Sequence, residues 1–148
     1  MFRRRLPLLL VSAFLVTLPA QLLAAQQEPE VELSQKVGQL VEANDAAALR
    51  NLGPEAMASM VWLYELSEEA ERARIANLFY QMGARSEIAE RALLRDARTN
   101  NVELRLAVQY ALGRVSDDLR VVETLLDTLQ NDPQPLFRDK AAAALAYD

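Results

Sequence analysis

The side chains able to do chemistry in this chain are arginines and carboxylates. The sequence contains no histidine and no cysteine. That removes the commonest general base, the thiol nucleophile and the usual ligands for zinc or copper. A serine nucleophile would need a basic partner, and the lysines are Lys36 and Lys140, neither in a Ser-x-x-Lys arrangement. No P-loop and no glycine-rich dinucleotide turn occurs. Two adjacent carboxylate pairs remain, Glu68–Glu69 and Asp117–Asp118. They could form an acid–base pair or ligate calcium. Both stand where a helix should begin, and there an acidic side chain stabilises the positive end by about 0.3–1 kcal/mol. No loop offers the spaced oxygens that calcium requires. The chain is expected to hold no cofactor and no metal, and not to be an enzyme.

What the charges could do is bind. Arg91, Arg95 and Arg98 cluster with Glu87 on one side of a helical stretch, and Arg120, Glu123 and Asp127 share the polar side of another. Such guanidinium rows can grip an acidic partner or a phosphate. Their ordinary role is i,i+4 pairing, here with Glu87 and Glu90, which also keeps the face soluble. These six residues are the candidate contacts for a protein or peptide partner. Trp62 and Tyr64 lie in an apolar stretch and are expected in the core.

The elements that must position these residues read as helices throughout. Ala, Leu, Glu and Arg dominate, and there are only 4 Gly and 6 Pro. No alternating β-branched run and no Asn-Gly or Asp-Gly hairpin turn occurs. Val31, Leu33, Val37, Leu40 and Val41 have helical spacing over 31–43. Asn44 or Asp45 can cap a short helix that Gly53 ends, and Pro54 suits the first turn of a third. Ser67, Ser86, Asn101 and Ser116 can cap the next four, with Gly83 and Gly113 as stops. An eighth helix begins near Pro133. Connections of about three to five residues make successive helices antiparallel. In the seventh, Leu119, Val122, Leu125, Leu126 and Leu129 form the expected buried side.

The N-terminus has a different character. "MFRRR" is basic, residues 6–25 carry no charge, and "QQEPE" turns abruptly polar. That is the pattern of a secretory signal peptide, 1–25, cut after Ala25 and followed by a flexible lead-in at 26–30. The other reading is an uncleaved membrane anchor. Cleavage would make the chain exported, periplasmic or secreted. It would also remove Arg3, Arg4 and Arg5, making a net charge of −5 more negative. An acidic surface disfavours nucleic acid and anionic lipid. No membrane contact is expected beyond the signal segment. Without cysteine there is no disulfide, so packing alone must stabilise the domain 31–148.

"ELRLAVQYALG" (103–113) aligns without a gap to "LFRDKAAAALA" (136–146), pairing Arg105 with Arg138 at a period of 33 residues. "ARIANLFYQMG" (73–83) fits the frame about 30 residues earlier, without the arginine. Such a period indicates stacked helix pairs. "DPQPLFRDKAAAALA" resembles the first helix of a HEAT-like (armadillo-type) repeat: an Asp-Pro entry, an apolar residue before Arg, then an Ala-rich stretch. The resemblance is best over 101–148 and moderate over 67–98. It implies an all-α fold, a short right-handed solenoid of antiparallel helix pairs whose second helices line one surface and bind proteins. The expected function is a non-enzymatic interaction module or scaffold. Alternatives are a structural subunit, the N-terminal part of a longer repeat protein, or a plain helical bundle. The Ala-rich side of the last helix has no following helix to cover it, so self-association through it is a further expectation, as is a chain incomplete at Asp148.

Overall fold

The computed structural model describes residues 20–146, with side chains described from Val31 onward. Among these residues every regular element is an α-helix. The expected signal segment lies outside the described residues up to position 19. The elements are α1 (Ala20–Glu42), α2 (Ala46–Asn51), α3 (Pro54–Leu66), α4 (Glu69–Met82), α5 (Glu87–Asp96), α6 (Val102–Val115), α7 (Leu119–Asn131) and α8 (Pro135–Leu145). Helix α1 runs through 26–30, the stretch expected as a lead-in. No helix among the described residues is long and apolar enough to cross a membrane.

Local chemistry explains most boundaries. Asp45, Ser86 and Asn101 accept a hydrogen bond from the backbone N–H three residues on, each satisfying one orphan donor of a first turn. Gly83 takes the left-handed conformation, φ 58°, that closes α4. Three expected signals act differently. Ser67 donates to the Leu63 carbonyl and closes α3 rather than opening α4. Asp118, not Ser116, caps α7, accepting from the Arg120 N–H. Gly113 does not stop α6, which continues to Val115.

The last of these has a packing cause. A Cβ on Gly113 would lie 3.0 Å from the Ala144 carbonyl carbon and closer still to its oxygen. The glycine lets the α8 backbone lie directly on α6. In the contact pattern α2, α4, α6 and α8 touch in series, and α1, α3 and α5 do likewise. Helix α7 packs chiefly on α8. One continuous core results, centred on residues such as Met60, Tyr64, Leu78, Phe79, Leu93, Val108 and Leu112. Burying each such side chain contributes about 1.5–3 kcal/mol.

Candidate interaction surface

Polar bridges tie each helix to its neighbour one period along the chain. The Tyr64 hydroxyl (α3) donates to Asp96 Oδ2 (α5) at 2.6 Å, and Arg72 Nη1 (α4) reaches the same carboxylate at 3.3 Å. Arg120 Nη2 meets Glu90 Oε1 at 2.8 Å, linking α7 to α5, and Arg98 Nη2, in the turn after α5, meets Asp127 Oδ2 of α7 at 2.6 Å. Arg95 pairs with Glu65 and Arg105 with Asp132. Lys140 Nζ donates to the Tyr110 hydroxyl at 2.5 Å, where Tyr80 and Tyr110 stack at 5.5 Å. The fourth residue of α4, of α6 and of α8 is in each case an arginine: Arg72, Arg105 and Arg138. The spacing of 33 residues between Arg105 and Arg138 therefore extends back to Arg72. The approximate 30-residue frame hid this match.

Of the six candidate contact residues, Arg91 and Arg95 lie on α5, Arg98 in the turn that follows it, and Arg120, Glu123 and Asp127 on α7. Arg91 is held loosely, 3.8 Å from Glu87. Arg95 and Arg98 are spent on inter-helix pairs rather than standing free, and Asp127 is the acceptor for Arg98. Arg120 spans Asp118 at 3.0 Å and Glu90. Glu123 is exposed, with no ion pair among the described residues. Glu90, expected as an i,i+4 partner on the surface, turns inward instead. Its side chain is 3% exposed and accepts from Ser116 Oγ at 2.7 Å as well as from Arg120. Those two donors are what make a buried carboxylate tolerable.

Two further expectations are overturned. Trp62 is 59% exposed on α3, although Tyr64 two residues later is buried. On a helix, positions two apart point about 200° from each other, so only one of the two can enter the core. Burial, reinforced by the hydrogen bond to Asp96, pushes the Tyr64 phenol well above its ordinary range. Helix α7 buries Val121, Leu125 and Thr128. Leu119 is 67% exposed and Leu126 is also exposed, so much of the expected buried side faces outward.

Two clefts with related linings open along this region. One, of about 350 Å³, is lined by Tyr64, Glu65, Arg72, Arg95 and Asp96. The other, of about 290 Å³, has Arg98, Arg105, Asp127 and Asp132 among its walls. Each holds an arginine from the fourth position of α4 or α6 and one acid from the end of the following odd-numbered helix, Asp96 or Asp132. Guanidinium and carboxylate are paired in both, so the lining suits peptide amides and mixed charge rather than a lone anion. No group of three or more acidic, His or Cys side chains suited to a metal occurs among the described residues. No protein-family model matches the chain, and no curated protein or solved structure is significantly similar to it.

Proposed function

We propose that this chain is an exported, non-enzymatic protein-interaction module, built as a short HEAT-like right-handed α-solenoid. Its binding surface is the ridge of α3, α5 and α7. The observation that carries the reading is Trp62. It is a large aromatic turned to solvent on α3, the helix whose Glu65 pairs with Arg95 of α5, and exposed aromatics and arginines are the residue types of interface hot spots. Leu66 and Leu126 add exposed apolar area along the same helices. The Glu65–Arg95 and Arg98–Asp127 bridges fix the spacing of the three helices, so the surface is organised before a partner arrives. Support for the stacked architecture comes from the period of 33 in Arg72, Arg105 and Arg138 and from the serial contacts of alternate helices.

The test is affinity capture from the native envelope with wild type and a Trp62→Ala/Arg91→Glu variant, each checked for helicity. A partner held by wild type and lost by the variant supports the reading. A partner held equally by both retires the ridge, and turnover of a small molecule by the pure protein retires the non-enzymatic role.

A further inference from the structure

We infer that the partner of the α3–α5–α7 ridge is a basic peptide segment, which lays an arginine or lysine on the face of Trp62. The inference rests on the interaction-module reading above and names the chemistry of its partner.

The charges of the ridge set the sign. Its arginines are Arg91, Arg95, Arg98 and Arg120. A free row of guanidinium groups would suit an acidic partner, but these are matched. Arg95 is paired with Glu65, and Arg98 with Asp127. Arg120 holds two carboxylates, Glu90 at 2.8 Å and Asp118 at 3.0 Å. Arg91 faces Glu87 at 3.8 Å. Arg72, which reaches the same edge from α4, is committed to Asp96. The acids are in surplus. Glu55 of α3 and Glu123 of α7 are exposed, and neither forms an ion pair with a described residue. Helix α1, which packs on α3, is no counterweight, because its exposed Lys36 stands one turn from the exposed Glu32. The whole chain has the same sign, with a formal charge of −5. Such a surface draws a cationic segment and repels an acidic one.

Trp62 supplies the anchor. Tyr64, Tyr80, Tyr110 and Phe137 each have a guanidinium or ammonium over the ring. Trp62 is 59% exposed, and among the described residues no cation lies over it. Indole is the strongest acceptor of a cation among the aromatic side chains. Glu65 stands three residues after Trp62 and Glu55 seven before it, so a cation on the indole has carboxylates to either side along the helix. Leu66, four residues on and 66% exposed, gives the aliphatic stem of that cation an apolar bed. From Glu55 to Trp62 is about 10 Å along α3. A polyproline-II segment returns its side chains to the same side every three residues, about 9 Å. A segment with a cation at every third position therefore keeps pace with these sites.

The experiment is fluorescence anisotropy of the full chain with a labelled peptide of Arg-Pro-Pro repeats, about nine residues long. Peptides with Gln or Glu in place of Arg are measured beside it. The Arg peptide should bind, the Gln peptide about tenfold more weakly, and the Glu peptide more weakly still. Trp62→Leu keeps an apolar side chain and loses the indole, and it should weaken the Arg peptide about fivefold, with Trp62→Phe losing less. Charge changes on the ridge should act with opposite signs. Glu123→Lys should weaken binding about three- to tenfold, and Arg91→Glu should strengthen it by a similar factor. Circular dichroism should report unchanged helicity for each variant. An Arg peptide that binds no tighter than the Gln or Glu peptide, indifference to Trp62→Leu, or a loss caused by Arg91→Glu overturns the inference. A native partner captured through Trp62 by a segment without cations overturns the basic assignment alone and leaves the interaction module standing.

Discussion

Replacing Gly113 by alanine sets two effects of known size against each other. Within a helix, Ala is favoured over Gly by about 1 kcal/mol, so propensity alone makes Gly113→Ala stabilising. Contact with α8 opposes it. The added Cβ would stand 3.0 and 3.1 Å from the Ala144 carbonyl carbon and Cα, and nearer to the oxygen. These are backbone atoms, which no rotamer change can move aside. Helix α8 would have to retreat by roughly half an ångström to an ångström, and a gap of that size forfeits a quarter to a half of each contact it opens. Phe137, Ala141 and Ala144, all buried there, would lose packing together. Overpacking of this kind costs about 1–3 kcal/mol, and the immovable obstacle places it near the upper end. The net expectation is destabilisation by about 2 kcal/mol, a fall of roughly 6–10 °C in Tm for a domain of this size. Gly38 is the internal control. It lies in α1 with nothing within 4 Å of an added Cβ, so Gly38→Ala should stabilise by about 0.5–1 kcal/mol. Thermal and denaturant unfolding followed by circular dichroism measures both. If Gly113→Ala proves as stable as Gly38→Ala, the close seating of α8 on α6 is wrong.

Gln109 is buried with neither amide atom hydrogen-bonded among the described residues, so Gln109→Leu should raise stability by about 1 kcal/mol in denaturant titration. A loss instead would mean that the amide has a partner worth keeping. Asp132 and Arg105 form the most buried ion pair among the described residues, with side chains 6% and 15% exposed, and the guanidinium lies 3.9 Å over the Phe137 ring. Asp132→Ala should cost about 3 kcal/mol by stranding that charge, and adding Arg105→Met should recover much of the loss. Equal losses in the single and double variants would contradict this. Hydrogen bonds from Arg74 to Glu71, from Arg85 to Asp117 and from the Arg120 N–H to Asp118 hold these carboxyls below their ordinary range. A depressed folded-state pKa contributes stability above the unfolded value, about 4, and loses it as pH falls through the folded one. Tm should thus be level from pH 6 to 8 and drop below about pH 4; a Tm that rises on acidification would reverse the sign.

Sequence and structure divide the explanation along physical lines. Helix content, most helix starts and the period of 33 are local properties, carried by Asp45, Ser86, Asn101 and the Arg105–Arg138 match, and they are legible without a fold. A cap needs only the three residues that follow it, and a repeat needs only itself. Whether Ser67 opened one helix or closed another already required knowing which turn its hydroxyl reached. The proposed surface was legible in part: charge clustering pointed to the α5 and α7 faces but could not tell a free arginine from a paired one. Arg95 and Arg98 find their acids 30 and 29 residues away, beyond any helical spacing. The outward turn of Trp62, the inward turn of Glu90 and the seating of α8 at Gly113 were decided only by tertiary packing. A helix wheel says which residues share a side, but what covers that side depends on the neighbours the chain brings to it.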